Sequence, residues 1–262
     1  MPEGDTVFRT AEHLNQALAG RPLTVFDLRV PRLASADLRG ETVDEVVSRG
    51  KHLLTRIGEH TLHTHLKMEG AWHVYRHGSR WRRPAYQARA VLENAEWVVV
   101  GFDLGVVELV RRDDEDEAVG HLGPDVLSPS WSEAEVSEAA SRLRTDGGRE
   151  IDVALLDQRN LAGLGNVYVN ELCFLRGVLP QRPVDEVADL EALVALGRRL
   201  IVANRDRVER TTTGDLRPGR RTYVYGREGR PCLRCGTRIR SGELGATELT
   251  RRITYWCPTC QS

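Results

Sequence analysis

The residues richest in chemistry stand at the start of the chain, in Pro2-Glu3-Gly4-Asp5. Once Met1 is removed, Pro2 carries a free secondary amine. A free α-amine titrates at about 7.7–8.0, so a useful share of it is neutral and nucleophilic near neutral pH. An amine beside a carboxylic acid can form a Schiff base with a sugar aldehyde carbon while the acid moves the protons. Most Met-Pro starts are only helix entries, so the pair needs support from the rest of the chain. The second set is Cys232-x-x-Cys235 with Cys257-x-x-Cys260. Two such knuckles fit one structural, four-coordinate zinc site closed to substrate. The tail that holds them is too short to bury a core, and metal binding would supply its folding energy. Arg251 and Arg252 on this hairpin suit insertion into a DNA groove; solvated arginines are the plain alternative. Cys173 lies apart in an apolar helical stretch and reads as core.

Lysine usage is a third signal. Of 37 basic residues only Lys51 and Lys67 are lysine. Arginine serves wherever a positive charge suffices, so these two mark places that want a compact or titratable amine. Charge is also segregated. Residues 201–262 hold 13 Arg against 6 Asp and Glu, whereas residues 101–150 hold 5 Arg against 13 acids. The net charge of −1 therefore hides a one-sided basic footprint of the kind that meets nucleic acid.

The elements that must position these groups follow from periodicity and punctuation. Asp5 is placed to cap a helix over 6–19, with Val7, Ala11, Leu14 and Leu18 as its apolar stripe and Gly20 at its end. Its positive end would disfavour protonation of a nearby amine and attract phosphate. From Leu23 to Val110 short β-rich runs follow (23–30, 42–48, 52–57, 61–66, 71–75, 88–92 and 97–102), spaced as in a sandwich or barrel. The acidic run Asp113–Glu117 reads as a solvated surface loop. Gly123-Pro124-Asp125 and Ser128-Pro129-Ser130 mark a linker. Residues 131–211 are helical in pattern, and Leu161-Ala162-Gly163-Leu164-Gly165-Asn166 is a glycine-rich turn able to offer backbone N–H groups to a phosphate. Residues 212–230 read as a flexible basic loop. Ser241 to Leu249 and 253–256 read as a hairpin returning to the second cysteine knuckle.

Forty per cent apolar residues suffice for a core. No apolar run approaches the ~20 residues of a membrane span, and no signal peptide is evident. The expected setting is cytoplasmic and, in a bacterium, nucleoid-associated. No nucleotide cofactor is expected, and the chain is read as a monomer.

Together these pieces resemble the formamidopyrimidine-DNA glycosylase / endonuclease VIII family, on its endonuclease VIII branch. Four stretches carry the resemblance, which covers essentially the whole chain: Pro2-Glu3-Gly4; Arg49-Gly50-Lys51; Leu155-Leu156-Asp157-Gln158 through Asn166, with Tyr168 and Glu171; and Arg252-Ile253-Thr254-Tyr255-Trp256-Cys257-Pro258-x-Cys260-Gln261. The resemblance implies an α+β multidomain fold. It comprises an N-terminal β-sandwich with an N-terminal helix (1–122), a linker (123–130), a helical domain with a helix–two-turn–helix (131–227) and a zinc-ribbon hairpin (228–262). It implies a bifunctional DNA glycosylase and lyase acting on damaged DNA. The enzyme flips the damaged nucleotide from the stack and cleaves the strand by β- then δ-elimination. Pro2 would attack C1′, Glu3 would protonate the sugar oxygen, and Lys51 would bind a phosphate beside the lesion. Asn166 and Arg252 would hold flanking phosphates. Two departures stand out. The segment where the formamidopyrimidine branch carries an Arg-x-Phe wedge reads Phe102-Asp103-Leu104-Gly105-Val106, and the void-filling stretch of the endonuclease VIII branch reads Lys67-Met68-Glu69. Met68 can serve as an apolar plug or be a strand core residue; Glu69 facing DNA is unexpected. The expected lesions are oxidised pyrimidines and abasic sites, with formamidopyrimidine and 8-oxoguanine as the alternative. A non-catalytic damaged-DNA-binding protein and a metal-dependent nuclease are the alternatives of another class.

Overall fold

The computed structural model describes residues 2–245, 247–248 and 250–262. Met1, expected to be removed, and Leu249, expected in the hairpin, lie outside the described residues. The chain forms two compact units, one ending at His121 and the other beginning at Leu122. Among the described residues no helix is long and apolar enough to cross a membrane.

The first unit opens with helix α1 (Gly4–Leu18). It starts two residues earlier than Asp5 capping would allow. Glu3 is the N-cap residue, its carbonyl accepting from Thr6 N (2.9 Å) and Val7 N (3.0 Å), and Asp5 falls in the first turn. Eight strands follow: β1 (Val25–Leu28), β2 (Val43–Arg49), β3 (His52–Ile57), β4 (His60–His65), β5 (Ala71–Arg76), β6 (Ala88–Glu93), β7 (Trp97–Phe102) and β8 (Val106–Arg111). The last falls at the end of the β-rich stretch expected from Leu23 to Val110. They make two antiparallel four-stranded sheets, in the orders β1-β6-β7-β5 and β2-β3-β4-β8. One core joins them: Phe26 and Leu92 from the first sheet and Val46, Leu53 and Leu62 from the second pack with Val7, Leu14 and Leu18 of α1. This is the sandwich arrangement, with apolar residues alternating inward on both sheets.

The acidic run is not a loop. A 3-10 turn (Arg112–Asp114) leads into helix α2 (Glu115–Val119). Carboxylates near a helix N-terminus suit its dipole. Glu115 is also drawn down by Arg56, whose Nε and Nη2 donate to it at 2.8 Å each, and by Thr61 Oγ1 at 2.5 Å.

The second unit contains α3 (Glu133–Arg144), α4 (Ile151–Leu156), α5 (Asn166–Arg176) and α6 (Leu190–Val202), then a hairpin of β9 (Arg240–Leu244) and β10 (Arg252–Trp256). Ser132 and Glu135 make a reciprocal capping box at the start of α3. The segment 212–230 is not a loose loop. Thr212 N donates to Arg221 O (2.8 Å) and Thr213 Oγ1 to Arg220 O (2.6 Å), closing it at its base. The buried Glu171 carboxylate then accepts from Tyr223 N (2.7 Å), Val224 N (2.8 Å), Tyr225 N (2.9 Å) and Thr212 Oγ1. A buried carboxylate is tolerated because several donors replace its water.

Candidate active site and nucleic-acid interface

The carboxyl end of α1 is tied to β2 in a way that fixes the direction of the helix. Gly20 N donates to Val43 O (2.8 Å) and Val43 N to Arg21 O (3.1 Å). One helical turn further back, Asn15 Oδ1 accepts from Val46 N (2.8 Å). The helix therefore runs antiparallel to β2. From Asn15 back to Gly4 is about 16 Å of helix rise, and from Val46 on to Lys51 is about 16 Å of strand. The amino end of α1, with Pro2 and Glu3, thus comes level with the turn that carries Lys51. Glu3 is fully buried, and Pro2 is half-buried.

That turn is the two-residue connection Gly50-Lys51 between paired residues Arg49 and His52. Gly50 takes φ 59°, and Lys51 does not share the positive φ, the pattern of a type II′ hairpin with glycine first. Register carries the same level across the sheet: His52 pairs with His65, and His65 with Val106. The Lys51 turn, the Lys67-Met68-Glu69 turn after β4 and the Asp103–Gly105 connection before β8 consequently lie at one end of one sheet. Met68 is 61% exposed, which removes its reading as a strand core residue, and Glu69 is exposed beside it.

Sequence reasoning missed the histidines beneath these turns. His52 Nδ1 lies 2.7 Å from His63 Nε2, and His63 Nδ1 lies 3.0 Å from Glu108 Oε2. A carboxylate only accepts, so His63 donates to Glu108 from Nδ1. His65 Nδ1 accepts from Lys67 N (2.9 Å). His121 stands edge-on to His52, with ring centroids 6.0 Å apart. Burial, followed by the repulsion that protonated His65, His63 and His121 would exert and by the charge of Lys67, pushes His52 down to about 3. Burial, then Lys67 and Lys51, pushes His65 down to about 4. Both rings are neutral at pH 7 in a setting that favours anions. The alternation His63-x-His65, with His52 opening the preceding strand, was the available signal.

In the second unit the glycine-rich turn is built around Gln158. Its Nε2 donates to Leu156 O (2.9 Å) and Leu164 O (3.0 Å), and its Oε1 accepts from Gly163 N (3.0 Å). Gly163 takes φ 108°, and a Cβ there would stand 2.7 Å from Val126 Cγ2. Helix α5 leaves this turn at Asn166, and its first two turns hold the hairpin. Asn166 Nδ2 donates to Ile253 O (2.8 Å), and Asn170 Oδ1 accepts from Tyr255 N (2.5 Å). Residues 253 and 255 present the free edge of β10, whose other edge pairs with β9. Arg252, exposed at the start of β10, is thereby fixed beside the amino end of α5. Asn166 itself is buried, with its amide committed to the hairpin.

The thiols of Cys232, Cys235, Cys257 and Cys260 converge within 4.8 Å of one another, and among the described residues they are the one cluster gathered so as to hold a metal ion. Tetrahedral zinc with Zn–S of about 2.3 Å needs sulfurs about 3.8 Å apart; Cys235 and Cys257 Sγ are 3.5 Å apart. Hydrogen bonds from Thr237 draw the Cys235 thiol down, whereas burial pushes the Cys257 and Cys260 thiols up. Cys232 and Cys257 sit with Phe174, Val224 and Ile239 in the small core of this region. Cys173 is buried in α5.

Residues 1–163 match the formamidopyrimidine-DNA glycosylase N-terminal domain family, and the chain belongs to that family. Among its relatives are the "Probable endonuclease 8 2" of Streptomyces coelicolor, 53% identical over 266 residues that cover this whole chain and 94% of that protein, and the "DNA-(apurinic or apyrimidinic site) lyase Nei2" of Mycolicibacterium smegmatis, 50% identical over all of this chain and 99% of that protein. The fold is that of the Lactococcus lactis formamidopyrimidine-DNA glycosylase seen in complex with DNA containing an abasic site, at a TM-score of 0.81 and 22% identity over the full length of both chains.

Proposed function

We propose that this chain is a bifunctional DNA glycosylase and abasic-site lyase of base-excision repair, with Pro2 as nucleophile and oxidised pyrimidines and abasic sites as substrates. The observation that carries the reading is the antiparallel seating of α1 on β2, which brings Pro2 and Glu3 level with Lys51. In this reading the Pro2 amine attacks C1′ of the flipped nucleotide. Glu3, shielded from bulk water, delivers a proton to the sugar oxygen as the ring opens and later moves protons through β- and δ-elimination. Lys51 presents a compact charge to a phosphate beside the lesion, and the neutral His52 and His65 rings add no competing cation. Met68 fills the space the base leaves, and Lys67 lies beside it on the DNA-facing turn.

The second unit supplies the grip, with the Asn166 turn and Arg252 on phosphates flanking the lesion. Asn166 does this by fixing the turn and the hairpin together. One zinc ion, held by the four cysteines, supplies folding energy to the hairpin and takes no part in bond breaking. The division into sandwich, linker, helical domain and zinc hairpin follows these roles. We further propose a monomer working in the cytoplasm.

The reading is tested with duplexes carrying an oxidised pyrimidine, 8-oxoguanine or an abasic site. Cleavage should proceed in EDTA over short incubations and leave phosphates at both ends of the gap, with the oxidised pyrimidine and abasic duplexes preferred. A cut that needs added magnesium, or tight binding of damaged duplex with no excision by the Met1-processed protein, would overturn it.

A further inference from the structure

Two non-glycine residues among those described adopt left-handed backbone: Lys67 (φ 53°) and Asp103 (φ 48°). Such conformations are costly for residues with a Cβ and persist only where the surroundings over-determine them. The two residues belong to different connections at the same end of the sandwich, and one side chain joins these connections. Arg83 Nη1 donates to the Glu69 carbonyl oxygen (2.9 Å) and to Asp103 Oδ2 (2.9 Å). The backbone is pinned as tightly. Gly70 N donates to Leu66 O (2.9 Å), closing the turn, and a Cβ on Gly70 would stand 2.4 Å from that oxygen. Gly105 N donates to His65 O (3.0 Å), and a Cβ on Gly105 would stand 2.2 Å from Lys67 Cγ. The outcome is Met68 held at the tip, mostly exposed.

We propose that Arg83 is a positioning residue for base flipping: by tying the Glu69 carbonyl to the Asp103 carboxylate it holds the Lys67–Glu69 turn rigid, so that Met68 enters the space vacated by the flipped nucleotide. The inference rests on the reading of Met68 as the plug. It gives Asp103 and Glu69 defined tasks. Asp103 occupies the connection that lacks an Arg-x-Phe wedge, and it braces the turn on the neighbouring connection instead. Glu69 contributes its backbone carbonyl, so its carboxylate need not read a base. A wedge must displace stacked bases to enter a duplex, and a turn free to fold back would fail to displace them; a braced one presents the methionine without ordering it first.

The test uses the full-length protein, with Met1 removed, on a duplex carrying 2-aminopurine opposite an abasic analogue. The fluorescence change at saturating protein reports the plug, and single-turnover excision of an oxidised pyrimidine reports its consequence. Met68→Ala and Arg83→Ala should each cut the fluorescence change and slow excision by about tenfold, and the double variant should be no worse than either. Arg83→Lys, whose ammonium can donate to both partners, should recover most of the loss. Asp103→Gly keeps the left-handed backbone without strain and removes the carboxylate, and it should fall between. A full fluorescence change in Arg83→Ala beside an abolished one in Met68→Ala would overturn the brace and leave the plug standing. Additive losses in the double variant, or failure of Arg83→Lys to recover although it melts with the wild type, would also overturn the brace. A silent Met68→Ala would overturn the plug and the brace with it.

Discussion

At the scale of single residues, the division of labour proposed for Pro2 and Glu3 makes separable demands. General acid catalysis contributes typically about 10²–10⁴-fold, so Glu3→Gln should lower base excision by about 10²-fold or more while retaining measurable strand cleavage at preformed abasic sites. Equal loss of both activities would contradict the role given to Glu3. The histidines make a different demand. His52 and His65 are held at about 3 and about 4 in the folded chain but titrate near about 6.5 when unfolded. The unfolded state therefore binds more protons below about pH 6.5, and stability should fall as pH drops from about 6.5 towards 4. His52→Gln, which can still meet His63, should flatten that slope; melting curves at pH 7 and pH 5 that change equally for wild type and variant would rule out this linkage.

At the scale of elements, the contact between α4 and β10 contains a carboxyl with an unusual setting. Asp152 Oδ2 accepts from Thr254 Oγ1 (3.1 Å), and its other oxygen is buried without a hydrogen-bond partner among the described residues. Burial pushes Asp152 up to about 7. The folded state then holds a proton that the unfolded state has released above about 3.9, so the residue weakens the fold increasingly as pH rises to 7. Asp152→Asn should stabilise the protein by about 1–3 kcal/mol at pH 8 and change little at pH 4. A stability gain of equal size at both values would point to packing in place of ionisation.

Elements also differ in how far they can be read before folding. Cysteine spacing and most strand positions are legible because they depend on neighbours a few residues apart. The start of α1 is misread because Asp5 has the chemistry of a cap while Glu3 has the backbone of one. The acidic run is solvated at Asp113, Asp114, Asp116 and Glu117 as its charge predicts, but its helical turn is not legible, and Arg56, far away in sequence, is what holds Glu115. Arg83, Asp103 and Glu69 carry no local mark at all: their union depends on two connections meeting at the end of a sheet, which register alone decides.

At the scale of the whole molecule, the basic footprint of residues 201–262 and the four-cysteine hairpin predict binding with a strong salt dependence. Removing one cation from a phosphate lowers the slope of log affinity against log salt by about 1. Arg252→Ala should do so and weaken binding to damaged and undamaged duplexes alike; an unchanged slope would take Arg252 away from the phosphates. The central claim, that the chemistry runs through the Pro2 amine, is tested most directly by borohydride trapping on abasic-site duplex followed by peptide mapping. Three primary or secondary amines compete near the site: Pro2, Lys51 and Lys67. We expect one covalent adduct, on the Pro2 nitrogen, absent from Pro2→Gly and from protein that retains Met1. No adduct from the processed protein, or an adduct on either lysine, would contradict the assignment.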